Sequence, residues 1–123
     1  MLLKDFYKVE KLERTDEGKY IAVVFLNKEH DIFKGHFPGN PVTPGVCMMQ
    51  IIKELTQNIL GSYLIMTSST NVKFMALINP EKNSILKLDL EISGNLTTEI
   101  KVKNTTSFDE TVALKLTNVY KSA

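Results

Sequence analysis

Residues Thr43 to Gly61 read TPGVCMMQIIKELTQNILG, the one stretch of the chain written with a helical period. Thr43 can cap the helix. Pro44 suits its first position, where a missing N–H costs nothing, and Gly61 can end it after about Leu60. Cys47, Ile51, Leu55 and Ile59 recur at intervals of four, flanked by Met48 and Ile52, and make an apolar stripe. Gln50, Lys53, Glu54 and Gln57 take the opposite face. Around this helix the chain is written in strands. In ILKLDLEI (Ile85 to Ile92) leucines alternate with charges, the period-two pattern of a half-buried strand. Thr97 to Lys103 and Thr111 to Tyr120 repeat it, joined by turn-rich links too short for parallel crossovers. Asn71 to Ile78 and Tyr20 to Leu26 are apolar on both faces and read as central strands. One helix among five or six antiparallel strands predicts an α+β domain spanning residues 1–123, the helix lying in the curve of the sheet.

The 123 residues are 43% hydrophobic and 24% charged, the mix of an ordinary globular domain, with a net charge of +1. That balance gives no electrostatic footprint for nucleic acid. A single cysteine, Cys47, excludes an internal disulfide and a cysteine-based zinc site, and two histidines without a third ligand make no metal centre. Lys4 and Asp5 interrupt the first apolar residues, so the amino terminus reads as neither a secretory signal nor an anchor. No apolar run is long enough to span a bilayer, and the chain reads as cytoplasmic.

The chemistry is concentrated between Phe33 and Gln50, FKGHFPGNPVTPGVCMMQ, which holds three of the four prolines and three of the six glycines. Such density before a helix fixes the backbone path. His36 is the one histidine or charged residue between Lys34 and Lys53. It precedes a helix terminus whose free N–H groups, at Gly45 and Val46, can stabilise developing negative charge. A base beside such a terminus is the minimum for taking a proton next to a carbonyl. A histidine among prolines and glycines is also a common surface residue, and the residues alone leave both readings open.

The string His36-Phe37-Pro38-Gly39-Asn40-Pro41-Val42-Thr43-Pro44-Gly45-Val46 resembles the H-F-P-G-x-P-x-x-P-G-V motif of hot-dog-fold 3-hydroxyacyl-acyl-carrier-protein dehydratases. Glu17 to Tyr20 resembles that family's turn into an early strand, and Asn71 to Phe74 with Asn79-Pro80-Glu81 its strand and turn after the helix. The resemblance implies a curved antiparallel sheet wrapped around one long helix, and a homodimer or higher oligomer with composite sites. It implies dehydration of a 3-hydroxyacyl thioester to the trans-2-enoyl product in acyl-chain synthesis. His36 would be the base and Gly45 the donor to the thioester carbonyl. The partner would be acyl carrier protein or another acyl thioester, with no cofactor beyond the carrier's phosphopantetheine arm.

Position 50 is a carboxylic acid in that family and Gln here. An amide can hold the departing hydroxyl but cannot give it a proton. Glu54 stands one turn later on the same face, so the acid and amide look exchanged. Gln50 and Glu54 are therefore both candidates, and Val46 joins Gly45 at the carbonyl. Phe33, Phe37, Met49 and Phe74 are candidates for an acyl tunnel. Two other functions stay open: thioester hydrolysis, with Gln50 or Glu54 directing water, and a non-catalytic acyl-binding protein. His30, in a polar loop, reads as structural.

Overall fold

The computed structural model describes residues 4–34 and 41–123. Strands β1 (Tyr7–Asp16) and β2 (Lys19–Leu26) lead through a short 3-10 turn, Asp31–Lys34, toward helix α1 (Gly45–Leu60). Four strands follow: β3 (Leu64–Phe74), β4 (Ile85–Gly94), β5 (Ile100–Phe108) and β6 (Thr111–Ser122). They form a six-stranded sheet in the order β1-β2-β4-β5-β6-β3, every neighbour antiparallel. A single helix packed against such a sheet is the α+β hot-dog arrangement expected from the sequence. No helix among the described residues is long and apolar enough to cross a membrane.

The core lies between α1 and the inner face of the sheet. Cys47, Met48, Ile51, Ile52 and Leu55 of the helix meet Ala22, Val24, Leu86, Leu88, Leu90, Val102, Leu114 and Leu116, all buried. The alternation in β4 holds as read: Leu86, Leu88 and Leu90 point inward, while Lys87 and Glu91 are exposed. Thr56 sits in this core without cost because its hydroxyl bonds back to the Ile52 carbonyl at 2.8 Å. Gly18, at φ +71°, turns the chain from β1 into β2; a Cβ there would stand 2.6 Å from the Ile92 carbonyl oxygen.

Three expectations change. Asn71 to Ile78 is not a central strand: β3 ends at Phe74 and lies at an edge of the sheet, mostly exposed. Val72, Phe74, Met75 and Leu77 are exposed surface, and only Ile78 enters the core, with Ala76 packed against it. The amino-terminal segment, read only for its charges, forms the opposite edge strand β1. Thr43 does not cap α1. Pro44 takes that place in an extended conformation (φ −62°, ψ 143°), and its carbonyl accepts from the N–H of Cys47 and Met48. Thr43 is tied through its own N–H to the Ile78 carbonyl, and its buried hydroxyl has no partner among the described residues. The other end behaves as read, Gly61 adopting the left-handed conformation at φ 64° and donating to the Gln57 carbonyl.

Ile51 is fully buried at the centre of the contact between α1 and the sheet. Ile51→Ala should lower unfolding free energy by about 2–5 kcal/mol, read from the denaturant midpoint at unchanged slope; a loss under about 1 kcal/mol would place the core elsewhere.

Candidate active site

Burying the apolar stripe of α1 turns Gln50, Lys53 and Glu54 to the other side. There Gln50 and Glu54 touch: the Gln50 Nε2 donates to Glu54 Oε2 at 2.8 Å. The Tyr7 hydroxyl, from the first residue of β1, donates to Glu54 Oε1 at 2.8 Å. Both carboxylate oxygens are thus engaged by two residues, one from its own helix and one 47 positions away. A phenol can give or take a hydrogen bond, so Tyr7 can stay bonded to Glu54 in either protonation state. Desolvation, then the hydrogen bond to Glu54 and its charge, push the Tyr7 hydroxyl well above its ordinary value of 10.0. The proton therefore stays on Tyr7.

Two further features stand beside this network. Among the described residues no acceptor meets the N–H groups of Gly45 and Val46, which leaves the start of α1 able to receive an oxygen. The Phe74 ring covers Gly45 so closely that a Cβ would stand 2.7 Å from its Cζ. Phe74 and Met48 line a largely apolar cavity of about 450 Å³ with Val42, Thr43, Met75 and Leu77. Val46, Met49, Gln50 and Lys53 line a second cavity of about 320 Å³ against Met66 and Tyr120. Glu54 opens on a third, more polar one of about 390 Å³ with Gln57, Asn58 and Tyr63. Gln50 and Glu54 are thus joined by a hydrogen bond yet face different spaces.

The other sequence candidates divide. Met49 and Phe74 line cavities. Phe33 does not: it is 5% exposed and stacks on Phe6 at 5.2 Å, inside the core. His36 and Phe37 lie outside the described residues. His30 is structural, its ring bonded to the Lys4 carbonyl and the Ile32 N–H and set edge-on against Phe6. Cys47 is buried, which pushes its thiol up and away from reactivity. No group of three or more metal-binding side chains occurs among the described residues. Sequence reasoning missed Tyr7 altogether, because its partner is distant in the chain.

Residues 12–112 match the ApeI-like family model, described as ApeI dehydratase. The 3-hydroxyacyl-[acyl-carrier-protein] dehydratase FabZ of Clostridium acetobutylicum is 32% identical over 93 residues, which cover 68% of this chain and 64% of that protein. FabZ of Levilactobacillus brevis is 29% identical across 91% of this chain and 82% of its own length. Among solved structures, the dehydratase heterocomplex ApeI:P from Xenorhabdus doucetiae superposes with a TM-score of 0.72 at 21% identity, covering 91% of this chain and 96% of that one.

Tyr7 also makes stability depend on alkaline pH. Its raised folded value means that its contribution is complete below about pH 10, where an unfolded tyrosine ionises, and is lost as pH rises from there. Tyr7→Phe should cost about 1.5 kcal/mol at neutral pH and flatten this alkaline fall, part of which stays with buried Tyr120, whose hydroxyl burial also pushes up. Thermal midpoints of both proteins across that range test it; parallel curves would show that Tyr7 ionises without constraint.

Proposed function

The chain belongs to the ApeI-like dehydratase family, and from that premise we propose that it removes water from a 3-hydroxyacyl thioester carried on acyl carrier protein, giving the trans-2-enoyl thioester. The observation that carries this reading is the 2.8 Å bond between Gln50 and Glu54. It sets a carboxyl group one hydrogen bond from the position where the family has its acid. In this mechanism the N–H groups of Gly45 and Val46 hold the thioester carbonyl, and the dipole of α1 stabilises the charge that develops on it. His36 takes the proton from the α-carbon. The bond from the β-carbon to its hydroxyl then breaks, and Glu54, in its acid form, protonates the leaving oxygen to water while Gln50 orients it. The reaction needs no cofactor beyond the phosphopantetheine arm of the carrier. Phe74, Met48 and Met49 give the acyl chain apolar walls.

A second copy of the chain completes the site in this proposal. β1 carries Lys8, Glu10, Lys11, Glu13 and Arg14, charges that keep an edge strand from pairing. β3 carries only Lys73 and exposes Ile65, Met66, Val72 and Phe74, continued by Met75 and Leu77, the last 71% exposed. Val46, 65% exposed at the start of α1, extends this apolar surface. Pairing of two β3 edges in a homodimer covers it, and in this reading His36 of one copy acts with the Gln50–Glu54 pair of the other.

The test is incubation with 3-hydroxyacyl-carrier substrates of several chain lengths, following enoyl and free-acid products together. Enoyl product is expected, with none from His36→Ala at unchanged assembly. Glu54→Gln should lower turnover by roughly 10²–10⁴-fold, the contribution of a positioned acid. Gln50→Glu should bring no gain, since it sets like charges one helical turn apart. Free acid as the main product would identify a thioesterase, and full turnover in Glu54→Gln would remove Glu54 from the chemistry.

A further inference from the structure

The outer face of the sheet carries a basic bowl that the reaction does not use. Antiparallel register sets out two rows of side chains there. One runs Glu91, Lys103, Thr117, Thr70, and the next Asp89, Thr105, Lys115, Lys73. Lys73 and Lys115 are directly opposed, an arrangement of like charges that destabilises a strand pair. The register shift between Thr70 and Lys73, with Asn71 at φ 54°, brings them into line. No carboxylate among the described residues relieves them: Asp89 lies beyond Thr105 in their row and stands 4.0 Å from Lys87. Lys103 faces Glu91 in register but makes no ion pair among the described residues.

These groups enclose a cavity of about 260 Å³ lined by Asn71, Lys73, Lys103, Thr105, Lys115 and Thr117, with no acidic side chain in its wall. Thr117 is only 8% exposed, and its hydroxyl has no partner among the described residues. An unbonded hydroxyl and three lysines line one space, which suits an acceptor with several charged oxygens. We propose that this bowl binds a phosphate group, either as the free ion or as the phosphoryl end of a larger ligand. The site is separate from the dehydratase site, because Phe74, the next residue after Lys73, turns to the opposite face and meets Gly45.

The like-charge pair gives the proposal a two-sided test. In phosphate-free buffer of low ionic strength, Lys73→Gln and Lys115→Gln should each raise the thermal midpoint by roughly 1–3 °C, because repulsion is removed. Added inorganic phosphate should raise the wild-type midpoint saturably and leave both variants unmoved. Lys8→Gln, on the far edge strand, should respond as wild type does. Coenzyme A serves as the second probe: a response at lower concentration than inorganic phosphate assigns the bowl to a phosphoryl group of a larger ligand, and a response to inorganic phosphate alone assigns it to the free ion. Equal midpoint gains from chloride at matched ionic strength, or phosphate gains that persist in both variants, would overturn the proposal.

Discussion

Six antiparallel strands leave an apolar face that a single helix must cover, and that burial sets the position of everything else. Ile51 and Ile52 are wholly buried and Leu55 nearly so, which fixes the rotation of α1 about its axis to within the width of one side chain. With that rotation fixed, Gln50 and Glu54 have to project from the opposite side. The same burial sets the helix start beneath Phe74, where the N–H groups of Gly45 and Val46 meet no acceptor among the described residues. Core packing thus aims polar groups that make no contribution to the core themselves. Tyr7 then adds a restraint from β1, so the Glu54 carboxyl is held from two elements rather than one.

Much of this was legible in the sequence because it is local. The stop of α1 at Gly61, its apolar stripe and the alternation of β4 and β6 follow from periods that a few residues display, whereas β5, read as Thr97 to Lys103 with a link from Asn104, runs from Ile100 to Phe108. The failures share a cause: each depended on a contact between distant segments. Asn71 to Ile78 is apolar on both faces, which marks a buried strand in isolation, yet β3 lies at the sheet edge and ends at Phe74. Thr43 has the chemistry of a cap, but Pro44 holds an extended backbone between it and the first turn. Phe33 was drawn into the core by Phe6, 27 positions earlier, a pairing that no local pattern signals. That Gln50 and Glu54 share one helix face could be read from spacing, whereas the hydrogen bond from Tyr7 could not.

The amide at position 50 and the acid at position 54 give this dehydratase-family chain its character. A carboxyl moved one turn along a helix shifts by about 5.4 Å, far enough to break a proton transfer if nothing else moves. Here the amide left behind reaches the relocated carboxyl directly. In the proposed mechanism the pair acts as a unit, and the amide side lies in a cavity with Val46 and Met49, near the helix start. The exposed apolar stretch from β3 through Leu77 fits the same account, because it is large and almost uncharged and borders the helix start. The proposed assembly of the site from two copies would account for the exposure of these groups in one.

Mixing two inactive variants tests that account most directly. His36→Ala and Glu54→Gln, each impaired alone, should recover about a quarter of wild-type dehydration when their subunits are exchanged into mixed dimers, since each mixed dimer contains one intact composite site. No recovery in mixtures shown to contain mixed dimers would contradict the account and place His36 and Glu54 of any one site in the same subunit.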